Sequence, residues 1–186
     1  MPVHRFQNRT HFRSPPSQRT RARQILGLCG HVFCLLLIPA VTAWGTGRPF
    51  IFPSLGPSAF ALALGEDAIS ARRIIGGHTI GIAIGFLSYH LLAWGLAFST
   101  FHVTWSAADL RLAASGIISL LLTTAVMLAT HTRHSPACAT TLIVSLGLMP
   151  SLADSAIMFL AVLSLYGTHQ VFFHAPKSAV TKARLI

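Results

Sequence analysis

Two short, proline-containing stretches of this chain carry the residues best suited to binding chemistry. Their small and hydroxyl-bearing residues are Ser54, Gly56 and Ser58 in the first stretch and Ser135, Thr140 and Thr141 in the second. A proline in an apolar run usually ends a helix or lies in its first turn, so we expect helices to begin near Pro57 and Pro136. Hydroxyls and unpaired N–H groups at helix N-termini, without a nearby carboxylate, suit a small anion. The alternative is that these hydroxyls only bond carbonyls of their own or neighbouring helices.

Two histidines lie close to these stretches and to basic residues. His78 follows Arg72 and Arg73, and His134 follows Arg133. Together they predict a positive vestibule that concentrates anions, in which either imidazole could carry a proton in symport. A histidine that merely caps a helix end is the alternative interpretation.

Other chemistry has less support. His131 and His134 lie three residues apart and would form a metal pair if one helix carried both, but no carboxylate or further ligand accompanies them. No phosphate-binding loop and no nucleophile–base spacing is present, so we expect neither an enzyme nor a cofactor. The three cysteines, Cys29, Cys34 and Cys138, show no paired short spacing and predict no disulfide or zinc site.

The composition decides the class of protein. Of 186 residues, 53% are apolar and 10% are charged, with 14 basic residues against 4 acidic ones. So few charges in so much apolar sequence exclude a nucleic-acid binder and a disordered chain. The scarcity of acids also argues against a carboxylate-based cation site. An integral membrane protein in contact with the lipid bilayer remains.

Four apolar runs are long enough to cross a bilayer as helices, which takes about 20 residues. They cover 25–44, 75–99, 112–130 and 153–173. The proline-containing stretches, 49–65 and 135–149, are shorter and either cross or re-enter. We expect an all-α, polytopic transmembrane bundle over 25–173, flanked by a basic disordered tail (1–24) and a second basic tail (174–186).

Basic residues favour the cytoplasmic side of short loops. If all six stretches cross, 12 of the 14 basic residues share one side, and only Arg48 and Arg111 lie on the other. If only four stretches crossed, fewer basic residues would share one side of the membrane. We therefore favour six, with both termini cytoplasmic in an inner (plasma) membrane; an organellar membrane is the alternative, since the Arg-rich, acid-poor N-terminus is also typical of a transit peptide.

Six crossings would divide the chain into two halves of three elements, each long, short and long. The halves start on opposite sides, and their middle elements are weakly alike, PSAFALAL beside PACATTLI. Paired, proline-broken short segments at matching positions indicate an inverted repeat with a transporter substrate site between its halves.

Gly77, Gly81 and Gly85 recur every four residues and form a smooth stripe on one helix face. Such a stripe lets another helix approach closely. We expect the partner to be a helix of the same chain, with a homo-oligomer as the alternative.

Three segments resemble the HPP family of integral membrane proteins: FPSLGPSAF (52–60), ARRIIGGHTIGIAIG (71–85) and HSPACATTLIVSLG (134–147). The resemblance covers about residues 45–165. Ser135 stands where that family has the first proline of its His-Pro-Pro motif, whereas His134 and Pro136 match. Some members are linked to nitrite transport in plastids and cyanobacteria, so the resemblance implies nitrite or nitrate as the substrate.

We expect a transporter or facilitator of a small inorganic anion, with Ser58, His78, His134, Ser135 and Thr140 at the centre of its site. The rivals are a membrane-embedded metal protein or enzyme that uses His131 and His134, and a non-transporting partner subunit that docks through the glycine stripe.

Overall fold

The computed structural model describes residues 18–65, 70–100 and 105–173, and all regular elements in these ranges are α-helices. They are α1 (Gln18–Thr46), α2 (Ile51–Leu64), α3 (Ala71–Leu92), α4 (Ala107–Ala129), α5 (Ala137–Ser145) and α6 (Leu152–Phe173).

Four helices are long and apolar enough to cross a membrane: α1 from Ala22, α3, α4 and α6. Helices α2 and α5 have 14 and 9 residues. At 1.5 Å per residue they are about 21 and 14 Å long, short of the roughly 30 Å of a bilayer core. The prediction of an all-helical bundle with four long spans and two short elements is confirmed, and six complete crossings stay a prediction.

The outer surface of the bundle is apolar, as lipid contact requires. Large side chains such as Phe33, Leu121, Leu160 and Phe172 are exposed. The main apolar core lies between α1, α2 and α6, where Leu35, Leu55, Met158 and Leu165 are buried. Because the exposed side chains are as apolar as the buried ones, the described helices form a multi-pass membrane protein.

Helices α3, α4 and α5 pack together with α5 parallel to α3. Gly77 of α3 lies against His134, just before α5, and Gly85 lies against Val144 near the end of α5. Helix α4 runs the opposite way, since Ser115 in its first half donates to the carbonyl of Ser145.

Helices α1 and α6 are antiparallel. Arg48, just after α1, pairs with Asp154 at the start of α6, and His31 contacts His169 near the end of α6. Helix α2 is antiparallel to α5, since Ser54 bonds Thr140 and Ser58 bonds His134. Successive elements therefore alternate in direction, and the start of α1 and the end of α6 lie at the same end of the bundle, named here the terminal end.

The arginines divide unequally between the two ends. Arg19, Arg23, Arg72, Arg73 and Arg133 are at the terminal end, and Arg48 and Arg111 are at the other. The two halves, α1–α3 and α4–α6, start at opposite ends. Which end faces the cytoplasm and whether the halves form a true repeat stay predictions.

Some helix boundaries differ from those predicted. Helix α2 begins at Ile51, six residues before Pro57, so the prediction of a helix start at Pro57 is wrong. Pro53 occupies the first turn, where its missing N–H costs nothing, and Pro57 lies in the second turn of a continuous helix. The other predicted start is confirmed, because α5 begins immediately after Pro136.

Helix α3 is shorter than the span predicted at 75–99. Helix α3 begins at Ala71 and ends at Leu92, and the chain then turns at Gly95, whose φ is 79°. Helix α1 begins at Gln18, inside the segment assigned to the N-terminal tail. Residues 1–17 and 174–186, the rest of both tails, lie outside the described residues.

Candidate functional site: a buried chain of histidines and hydroxyls

Five side chains form one continuous hydrogen-bonded series, named here the His–hydroxyl chain. They come from α2, from α3, and from α5 with the turn that precedes it. In order they are His134, Ser58, His78, Thr140 and Ser54. His134 Nε2 and His78 Nε2 each lie 2.9 Å from Ser58 Oγ. His78 Nδ1 lies 2.7 Å from Thr140 Oγ1, which lies 2.5 Å from Ser54 Oγ. Four of the five residues have no exposed surface, and His134 is 5% exposed.

Helix periodicity places the hydroxyls of α2. Ser54 and Ser58 are four residues apart, so they lie one above the other on the same helix face. That face is directed at α5 and α3, and Pro57 and Phe60 point outwards. Both serines predicted in this stretch therefore lie on the buried face of α2.

The glycine stripe of α3 brings α5 close enough for Thr140 to reach His78. A methyl group added to Gly81 would lie 2.7 Å from Thr141 Oγ1 and 2.9 Å from the carbonyl oxygen of Ala137. One added to Gly85 would lie 2.8 Å from the carbonyl oxygen of Thr141. These distances are too short for any side chain, so Gly81 and Gly85 pack against the backbone of α5, and Gly77 packs against His134 in the preceding turn.

His134 is positioned by the turn that precedes α5. Its carbonyl accepts from the N–H of Ala137, and the carbonyl of Ser135 accepts from that of Cys138. The two imidazole rings meet edge-on, with centroids 5.2 Å apart. A turn rather than a helix therefore directs this imidazole towards Ser58.

Three predicted site residues lie outside the His–hydroxyl chain. Gly56 is half-buried with no atom near the position of a side chain. Thr141 is buried, but its hydroxyl lies 3.2 Å from both Thr123 Oγ1 and the carbonyl oxygen of Ala137, to either of which it can donate. Ser135 is exposed and lines a cavity instead. Ser58 lies within α2 rather than at its start, whereas α5 begins at Ala137, beside His134 and Ser135. The anion site at two helix N-termini stays a prediction.

The cavity has a volume of about 240 Å³ and lies at the terminal end between α4 and α5. It is lined by Thr124, Met127, Leu128, Arg133, His134, Ser135 and Cys138. His134 is shared between the cavity wall and the His–hydroxyl chain, so the cavity reaches the first member of the chain. The α4 residues of this lining were not predicted as site residues, since nothing in an apolar run marks which face borders a cavity.

The charges near the His–hydroxyl chain are basic. Arg133 lines the cavity, and Arg72 donates to the carbonyl of Thr130 at the same end. The described carboxylates lie elsewhere: Asp109 bonds Ser106, and the 3% exposed side chain of Asp154 pairs with Arg48 at 2.7 Å. The pairing of Arg48 with Asp154 also escaped sequence analysis, since the two lie in different halves of the chain.

The described residues contain no group of three or more His, Cys, Asp or Glu side chains that could hold a metal ion. His131 and His134 do not share a helix, because α4 ends at Ala129 and His131 has a φ of 56°. His131 is exposed and His134 is buried against Ser58, so the geometry required for the predicted pair is absent.

Four long apolar helices around this buried polar centre define a polytopic α-helical membrane protein. A family model described as "HPP, transmembrane region" matches residues 16–176. The chain belongs to this HPP transmembrane family, and the resemblance read from its three motifs is confirmed. Searches of curated proteins and of solved structures find no match to the chain.

Proposed function

We propose that this protein transports a small inorganic anion, or facilitates its passage, through the centre formed by α2, α3 and α5. The observation that carries the proposal is the His–hydroxyl chain itself. It places three hydroxyls and two imidazoles in a buried site, and within the described residues the members of the chain bond one another and not a carboxylate. Such a site offers hydrogen-bond donors to an anion without a competing negative charge.

The cavity at the terminal end supports a route to this site. Arg133 contributes a positive charge to its wall, and a wall of one sign raises the local concentration of the opposite ion. The N-terminus of α5, which begins at Ala137, lies beside His134 and Ser135 and adds the positive end of the helix dipole. An anion that enters the cavity therefore meets favourable charge before it reaches His134.

Nitrite and nitrate are the proposed substrates, as the family resemblance implies. The proposed orientation has both termini in the cytoplasm of an inner (plasma) membrane, because the terminal end carries most of the arginines. Transport rather than catalysis is the proposed activity. The docking of a partner through the glycine stripe finds no support, because α5 of the same chain covers that stripe.

Uptake of isotope-labelled nitrate into proteoliposomes tests the proposal. Nitrate is the anion of a strong acid, so leakage of its neutral form does not obscure the result. We expect protein-dependent uptake that falls by about a hundredfold in His78→Gln, because polar positioning groups of this kind contribute roughly that much. His90→Gln is the matched control, since His90 lies on the same helix and its hydrogen bond within the described residues is to the carbonyl of Phe86 in its own turn.

Two results would contradict transport. One is the absence of protein-dependent uptake of nitrate, nitrite and several other small anions by the folded protein. The other is an equal loss in His78→Gln and His90→Gln, which would separate the activity from the His–hydroxyl chain.

A further inference from the structure

The hydrogens of the His–hydroxyl chain can be counted, and the count restricts its states. Ser58 has one hydrogen but touches a ring nitrogen of both His78 and His134. At least one of those nitrogens must therefore donate to Ser58. Because these are the hydrogen bonds of the Ser58 hydroxyl within the described residues, its own hydrogen goes to the other nitrogen. With both imidazoles neutral, the bonds must all point from His134 towards Ser54 or all point the opposite way.

One charged state also satisfies every bond. If His78 carries a hydrogen on both nitrogens, it donates to Ser58 and to Thr140. Ser58 then donates to His134, and Thr140 donates to Ser54. An extra proton on His78 thus keeps all four hydrogen bonds of the His–hydroxyl chain, and no heavy atom has to move.

We propose that the His–hydroxyl chain delivers a proton from the cavity to His78 and that the charge of the imidazolium attracts the transported anion, so that the two cross together. A proton binds His134 Nδ1, the hydrogen on His134 Nε2 passes to Ser58, and the hydrogen of Ser58 passes to His78 Nε2. His134 ends neutral with its hydrogen on Nδ1, and His78 holds the added charge. The inference rests on the proposed anion transport and specifies its coupling.

Burial explains why proton and anion must bind together. An isolated imidazolium is costly in a site removed from water, and so is an isolated anion. Side by side, each offsets the charge of the other. The route should therefore carry one proton with each monovalent anion and no net charge.

The other titratable groups around His78 are held elsewhere. Helix α6, which packs on α3, contributes Asp154, Tyr166 and His169, and these contact Arg48, Gln170 and His31. Asp109 of α4 bonds Ser106, and Cys138 of α5 lines the cavity. Arg72, Arg73 and Arg133 lie at the terminal end and add positive charge, which favours an anion as the partner of a charged His78. His134 is the titratable group that shares a hydroxyl with His78.

Ser58 is the positioning residue that this coupling requires, because its hydroxyl joins the two imidazoles. The test uses proteoliposomes with a trapped pH dye and external nitrate. We expect nitrate entry to acidify the lumen with one proton per nitrate, and an imposed membrane potential to leave the rate unchanged. Ser58→Ala should lower the coupled flux by about tenfold or more, whereas Ser58→Thr, which keeps the hydroxyl, should retain it.

Ser119→Ala is the matched control, because Ser119 is a buried serine that donates only to the carbonyl of Gly116 in its own helix. If Ser58→Ala does not fold, His134→Gln replaces it, since glutamine still bonds Ser58 but cannot relay a proton. We expect the same loss of proton-coupled flux in that variant.

Nitrate entry that follows the membrane potential without acidifying the lumen would overturn the relay while leaving anion transport intact. Full proton coupling in both Ser58→Ala and His134→Gln would do the same. The absence of any protein-dependent anion flux is a different result, because it removes the proposed function and the relay with it.

Discussion

Within the described residues, two pairs of histidines connect different elements of the fold, and they differ in what surrounds them. His78 and His134 are buried, and each bonds the hydroxyl of Ser58. His31 and His169 connect α1 and α6 through stacked rings whose planes differ by 2°, with Nε2 of His31 3.3 Å from Nδ1 of His169. Phe173 stacks on His31 with centroids 3.5 Å apart.

The difference shows that the surroundings of a histidine pair, rather than its presence, decide what it can do. The hydroxyls of Ser58 and Thr140 give both ring nitrogens of His78 a partner through which a proton can move. His31 and His169 instead bond each other directly through their ring nitrogens and lie beside the aromatic ring of Phe173. We therefore assign chemistry to the α2–α3–α5 centre and packing to the contact between α1 and α6.

The largest effect on stability should come from the close approach that builds the centre. Gly81→Ala places a methyl group 2.7 Å from Thr141 Oγ1 and 2.9 Å from the Ala137 carbonyl oxygen. Relief of this contact requires the backbone of α5 to move, which costs free energy. We expect a loss of about 1–3 kcal/mol in the free energy of unfolding, measured by denaturation in detergent. Gly167→Ala in α6 is the control, since nothing lies within 4 Å of the added methyl. An unchanged stability in Gly81→Ala would refute the tight packing of α3 on α5.

A smaller effect is expected at the end of the α1–α6 contact. Arg48→Met leaves the carboxylate of Asp154 buried without its cation, although the N–H of Ser151 still donates to it. Because the arginine side chain is 44% exposed, water screens the pair, and we expect a loss of about 1 kcal/mol in thermal denaturation.

Arg111→Met serves as the control, because Arg111 is exposed and donates to the backbone carbonyl of Leu92. Equal losses in the two arginine variants would show that the ion pair adds nothing beyond a surface hydrogen bond. Nitrate uptake should be preserved in both, since neither arginine belongs to the His–hydroxyl chain.

The smallest effect should follow from His31→Phe. A phenyl ring can keep the stack with Phe173 but loses the long, 3.3 Å bond to His169, so we expect a loss of about 0.5 kcal/mol in the free energy of unfolding and unchanged nitrate uptake. A loss of uptake comparable to that of His78→Gln would erase the distinction between the two histidine pairs.

Much of the architecture is predictable because apolar run length decides whether a helix spans a bilayer. The runs that predict four spans need no partner to be recognised, and the runs at 112–130 and 153–173 match α4 and α6 closely. The start of a helix is harder to predict where prolines interrupt an apolar run, because a proline at either of two positions can begin a helix. Pro53 and Pro57 both lie near the start of α2, and only the packed structure shows that the helix begins at Ile51.

The sequence by itself determined that this is a membrane protein, that its interior is rich in hydroxyls, glycine and histidine, and that acids are scarce. It also placed Ser54, Ser58, His78, His134 and Thr140 among the candidates. Only the tertiary structure decided their order in one chain and set Gly56, Ser135 and Thr141 apart from it. The bond between Ser54 and Thr140 joins residues 86 positions apart. Contacts over such separations depend on how helices rotate and approach one another, and residue spacing along a single helix does not encode this.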